Sequence, residues 1–97
     1  MQESQIERFF KREVEKQGGK AMKFVSPGLS GVPDRLVLLP GGRAVFAEMK
    51  APGEQLRPLQ EKRKRDLEAL GFEVHVLDSH ESVKAFVGRF FSEIHTA

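Results

Sequence analysis

One aspartate, one glutamate and one lysine stand at the ends of two short apolar runs. Asp34 closes the segment GVPD, and Glu48 and Lys50 lie in the segment AEMK. Leu36–Leu39 and Ala44–Met49 have strand character, and Pro40-Gly41-Gly42 between them is a hairpin signal. If the runs pair, Asp34 before the first meets Glu48 at the end of the second. Strand side chains alternate between faces, so Glu48 and Lys50 project the same way. Two carboxylates and one ammonium at one end of a hairpin can hold a divalent metal beside a phosphodiester. Mg²⁺ takes oxygen ligands, needs one or two carboxylates and keeps several waters. Asp34 and Glu48 supply that count, and the main-chain carbonyl of Met49 is a further candidate ligand. Such an ion polarises a phosphoryl oxygen and acidifies a water. Lys50 would orient the nucleophile and stabilise the developing charge.

The same residues also have a plainer reading. With 31% of the chain charged, an Asp…Glu-x-Lys pattern arises readily. Glu48 and Lys50 then form an ordinary salt bridge, and Asp34 caps a turn. Glu48 ends an apolar run, where a charge needs a partner, and either reading provides one.

The surrounding elements must position these groups. Gln2–Gln17 predicts a helix that Gly18-Gly19 ends. Glu3, Ile6, Glu7, Phe10 and Val14 share one stripe of it, so an acid lies at the edge of a core-facing surface. Glu3 and Glu7 also suit the positive helix N-terminus without any metal. Ala21–Val25 predicts a short strand. The glycine-rich loop from Ser26 to Gly31 leads into Asp34 and would let backbone approach a phosphate. Lys23 and Ser26 beside it are candidate DNA contacts. A second helix runs from Pro58, tolerated at a first turn, to Leu70, with Leu59, Leu67 and Leu70 on an apolar face and Gly71 as C-terminal cap. Gln60, in its first turn, would orient Lys50 or a water. Lys62, Arg63 and Lys64 on this helix either track a DNA backbone or form a solvated face. Phe72–Leu77 predicts another strand, reached by a parallel crossover. Asp78 and Glu81 resemble a capping box for a last helix, which carries Val83, Phe86, Val87, Phe90 and Ile94 at helical spacing. His75, His80 and His95 show no ligand spacing. The expectation is an α/β domain spanning residues 1–97, with a small mixed sheet flanked by helices in the order α-β-β-β-α-β-α.

The stretch KFVSPGLSGVPDRLVLLPGGRAVFAEMKAPG resembles the core of the VRR-NUC family, a branch of the PD-(D/E)xK nuclease superfamily. Pro33-Asp34 and Glu48-Met49-Lys50 match the superfamily pattern, and Gln60 in RPLQ matches a glutamine on the following helix. The family's N-terminal glutamate corresponds best to Glu3, with Glu7 the fallback. The resemblance covers most of the chain, roughly Glu3 to Asp78. It implies a restriction-endonuclease-like fold and a Mg²⁺-dependent endonuclease in which Mn²⁺ can substitute. Asp34, Glu48, Lys50 and Gln60 would be its catalytic residues, and Glu3 or Glu7 would extend the metal-binding acids. Stand-alone members of this size resemble phage and bacterial proteins that act on branched DNA, such as four-way junctions, as homodimers.

Composition narrows the alternatives. The chain has 97 residues, 39% of them apolar, enough for one modest core. Formal charge is +2 and the sequence pI near 9.2, a mild basic bias concentrated between Lys50 and Arg65. With no cysteine, disulfides and thiolate sites are excluded. The amphipathic, charged N-terminus lacks the apolar core of a signal peptide, and no apolar run reaches membrane-spanning length. A cytoplasmic protein without a small-molecule cofactor is expected. Eight Phe without Tyr or Trp point to core or interface, not to a base-stacking platform. Phe90 and Phe91 are candidate dimer contacts, or they complete the monomer core. Two further functions stand beside the nuclease: a non-catalytic DNA-binding domain of the same fold, and a protein-interaction module using the Phe-rich last helix.

Overall fold

Short apolar runs separated by glycine-marked turns fold as α1 (Glu3–Lys16), β1 (Lys20–Lys23), β2 (Arg35–Leu39), β3 (Arg43–Met49), α2 (Pro58–Ala69), β4 (Val74–Leu77) and α3 (His80–His95). The computed structural model describes residues 1–95, with side chains through residue 91. The readings of Ile94 and His95 therefore concern side chains outside the described residues. The strands form one sheet in the order β1-β2-β3-β4. β1, β2 and β3 are antiparallel neighbours, while β4 runs parallel to β3 across the α2 crossover. This is the expected mixed sheet in the expected element order. Among the described residues no helix is long and apolar enough to cross a membrane.

Alternation sorts the strand residues. Val37, Leu39, Val45, Ala47, Met49 and Leu77 join Ile6, Phe10 and Val14 of α1 and Val83, Phe86, Phe90 and Phe91 of α3 in one core. Complete burial of a side chain such as Phe10 stabilises the fold by roughly 1.5–3 kcal/mol. Phe90 and Phe91 belong to this core, at 6% and 1% exposure, so they are not an exposed dimer surface. The helical stripe is deep because α3 covers the sheet together with α1. Leu36 and Leu38 point to the other face of the sheet, which is less covered. There Phe46 packs between Phe24 and Phe72, at centroid distances of 5.4 and 5.6 Å. Met22 is left 47% exposed and Leu38 38%.

The helix ends explain the remaining boundaries. α1 and α2 both finish with paired main-chain bonds closed by a glycine at positive φ, Gly18 and Gly71. In α2 the closing bond runs from Phe72 N–H to the Leu67 carbonyl, so Phe72 is spent on the cap and β4 begins at Val74. β1 ends at Lys23, two residues short of the expected limit, although Phe24 still donates its N–H to the Asp34 carbonyl. α3 is capped by Ser79, not Asp78: the Ser79 hydroxyl accepts from Ser82 N–H, and the Ser82 hydroxyl accepts from Ser79 N–H. α2 buries no residue, so Leu59 and Leu70 form no core-facing side.

Candidate active site

The hairpin register sets the site. Arg35 pairs with Ala47, which leaves Asp34 one step beyond β2 and Glu48 one step further along β3. Both carboxylates lie on the sheet face away from α1. Asp34 Oδ2 accepts the Met49 N–H at 2.9 Å, so the turn before β2 is tied to the end of β3. The Glu48 carboxyl hydrogen-bonds to Asp34 and accepts the Gln60 side-chain amide at 3.2 Å. The orientation of that amide is fixed from its other end, because Gln60 Oε1 accepts the Arg57 N–H at 2.9 Å. Gln60 thus caps α2 and holds Glu48, rather than reaching Lys50.

Glu48 and Lys50 are both buried, at 4% and 6% exposure. Burial pushes the Glu48 carboxyl up to about 8, the adjacent Asp34 pushes the same way, and Lys50 opposes them. Two adjacent carboxyls in so buried a place are a poor resting arrangement for two anions. They are a good one for a divalent cation, which would take the proton's place. Glu3 feels the same acidic field: burial and Asp34 raise its carboxyl above the ordinary value, and Lys50 lowers it.

Glu7 departs from the sequence expectation of a metal acid. Arg35 donates Nε to Glu7 at 3.0 Å and Nη1 to the Ala21 carbonyl at 2.8 Å. Glu7 is therefore the counter-ion of a buried arginine, and Glu3 is the helix acid near Asp34. The signal was present in RLVLL, since an arginine opening a buried strand must find an anion. Among the described residues no three acidic or histidine side chains converge into a metal cage. A pair of carboxylates with room for water is still within the habit of Mg²⁺. His75 bonds to Glu73 at 3.0 Å and His80 packs on Phe9 at 4.1 Å, so neither is placed as a ligand.

The basic residues divide. Arg63 is mostly buried and donates Nε to the Ser30 carbonyl at 2.8 Å, with Asp66 at 3.4 Å. It clamps the 26–34 loop to α2 and is not the exposed phosphate contact that its neighbours suggested. Lys64 pairs with Glu68 at 3.1 Å, while Lys62 is exposed. Lys23 lies across from Arg35, in a positively lined cleft with Lys11 and Lys20. Ser26 turns the loop, its carbonyl accepting Leu29 N–H.

No family model matches the chain. A relative from Acyrthosiphon pisum secondary endosymbiont phage 1, named "Putative nuclease p44", is 53% identical over 81 residues, 84% of this chain and 87% of the relative. A solved structure described as a VRR_NUC domain superposes with a TM-score of 0.85 at 29% identity, over 92% of this chain and 97% of that one. The fold and these similarities define a nuclease class with a small mixed sheet flanked by helices. Within it, the chain belongs to the VRR-NUC family.

Proposed function

We propose that the protein is a divalent-metal-dependent endonuclease that hydrolyses phosphodiester bonds in branched DNA. The observation that carries this reading is the pair of adjacent carboxyls, Asp34 and Glu48, with Lys50 buried beside them at one end of the sheet. Asp34, Glu48 and the Met49 carbonyl would hold Mg²⁺ or Mn²⁺, and Glu3 would add negative charge at its edge. The metal, when bound, polarises the phosphoryl oxygen and acidifies a water. Glu48 would have to be deprotonated to hold the ion, and the bond from Gln60 would keep its carboxylate aimed. Lys50 faces the phosphate and stabilises the charge that grows on its oxygens in the transition state. Its burial keeps that ammonium from being screened by water.

A second copy would supply a second site at fixed spacing, which suits a two-fold four-way junction. The uncovered sheet face around Met22, Leu36 and Leu38 is the surface on which this dimer would form, replacing the α3 phenylalanines. The test compares four-way, flap, nicked and linear DNA with Mg²⁺, Mn²⁺ or chelator, beside light scattering. Metal-dependent cleavage strongest on branched substrates, and lost in Asp34→Asn and Glu48→Gln, is expected. Cleavage that continues in chelator, or in both variants, would overturn the assignment.

A further inference from the structure

The carboxylates do not face open solvent on every side. Between the 26–34 loop and the first turn of α2 lies a cavity of about 600 Å³. Its loop wall includes Gly31, Val32 and Asp34, and its helix wall Arg57, Leu59 and Gln60. Asp34 and Gln60 thus belong both to the cavity and to the acidic site. A group attached to a phosphate held at Asp34 would lie beside this space.

The walls are fixed relative to each other. Gly31 sits at φ +86, and a Cβ there would fall 2.8 Å from both the Leu59 Cγ and the Leu59 carbonyl oxygen. The glycine lets the loop press directly on the helix, and the Arg63 bond to Ser30 holds it there. The cavity is therefore built before any ligand arrives. Its size lies within the roughly 300–1,000 Å³ of sites for small organic groups. Its surface is mixed. Val32 and Leu59 offer apolar contact, and Leu59 is left 41% exposed for no reason of packing. Arg57 carries a guanidinium that has no carboxylate partner among the described residues. Apolar side chains and a planar cation lining one space suit a flat heteroaromatic ring, which can pack on either.

We propose that this cavity takes one nucleobase, unstacked from the DNA, belonging to a nucleotide that flanks the scissile phosphate. The assignment rests on the reading of the acidic end as a phosphodiester site. A base still paired and stacked in duplex cannot enter. Extrusion costs least where a nick, flap or junction has already broken the stack. The cavity then gives the protein a way to favour discontinuous DNA within a single chain, without a separate recognition module.

The test perturbs both partners. Cleavage sites are mapped on a flap or junction, and the flanking nucleotides are replaced in turn by an abasic analogue. Removing the right base lowers wild-type kcat/KM on the order of 5- to 150-fold, the range for one stacked base. Arg57→Ala, whose guanidinium makes no ion pair among the described residues, lowers kcat/KM on the intact substrate and shrinks the abasic effect toward unity. An abasic effect that is absent, or equal in both proteins, overturns the proposal while leaving the nuclease reading intact. A second arm uses Glu48→Gln with 2-aminopurine tiled through the same DNA. Its fluorescence rises on binding at one flanking position, and the rise is lost when Arg57→Ala is added. If wild type cuts no DNA, the nuclease reading fails and this arm alone decides the cavity: no rise at any position overturns it.

Discussion

Glu48→Gln should abolish cleavage and, without metal, make the protein more stable. In the unfolded chain Glu48 loses its proton near 4.5, whereas in the fold it keeps it to about 8. Between those values the folded state binds more protons than the unfolded state, so stability falls as pH rises. At 1.36 kcal/mol per pH unit the full window amounts to at most about 5 kcal/mol, and at pH 7 to about 3 kcal/mol. Glutamine matches the protonated acid: its oxygen accepts from Gln60 and its amide donates to Asp34. The variant keeps both bonds and has no proton to lose. Thermal melts in chelator should place its midpoint about 10 °C or more above wild type at pH 7, with the two converging toward pH 4.5. Added Mn²⁺ should reverse the order, because only wild type gains a full ligand charge. A wild-type melting temperature that is flat from pH 5 to 8, or a variant no more stable at pH 8, would refute the raised Glu48 carboxyl.

Other substitutions separate roles. Lys50→Ala should remove cleavage but leave Mn²⁺ binding measurable by calorimetry; retained activity would take the lysine out of the mechanism. Arg63→Ala should cost about 1.5–3 kcal/mol through loss of charged hydrogen bonds, whereas Lys62→Ala should leave stability within about 0.5 kcal/mol and reduce the salt slope of DNA binding by about 0.9. Equal slopes and equal melts would return Arg63 to the DNA surface. Gly31→Ala should lose about 2 kcal/mol or more, from the left-handed backbone and the Leu59 contact together, and should slow cleavage by shifting Asp34; an unchanged denaturation midpoint would mean that the loop is free of α2.

Local pattern made the sheet legible. Two apolar runs around Pro40-Gly41-Gly42 leave few alternatives to a hairpin, and a hairpin brings Asp34 toward Glu48. The partners that modify the site are distant in sequence and gave weaker signals. Glu7 finds Arg35 and Arg63 finds Ser30 across some thirty positions, and a charged run on a helix does not reveal which member is already engaged. Periodicity marks Phe90 as part of a stripe with Phe91 beside it, but a stripe has the same spacing whether it meets the molecule's own sheet or a second copy. Only the placement of α1 beside α3 decides that. The Asp78/Glu81 pattern points to a cap one residue before the Ser79/Ser82 pair that forms it.

The edge strand β1 has a consequence for how copies can meet. It is four residues long and begins and ends with exposed lysines, Lys20 and Lys23. If two molecules zipped together along this border, antiparallel pairing would set Lys20 of each against Lys23 of the other. Like charges directly opposed on adjoining strands are unfavourable, and lysine-flanked short borders resist runaway growth of a sheet. The molecule is thereby discouraged from joining strand to strand into an open-ended ribbon. Contact through the side that bears Met22, Leu36 and Leu38, the surface proposed above for a dimer, would not require this strand-to-strand pairing.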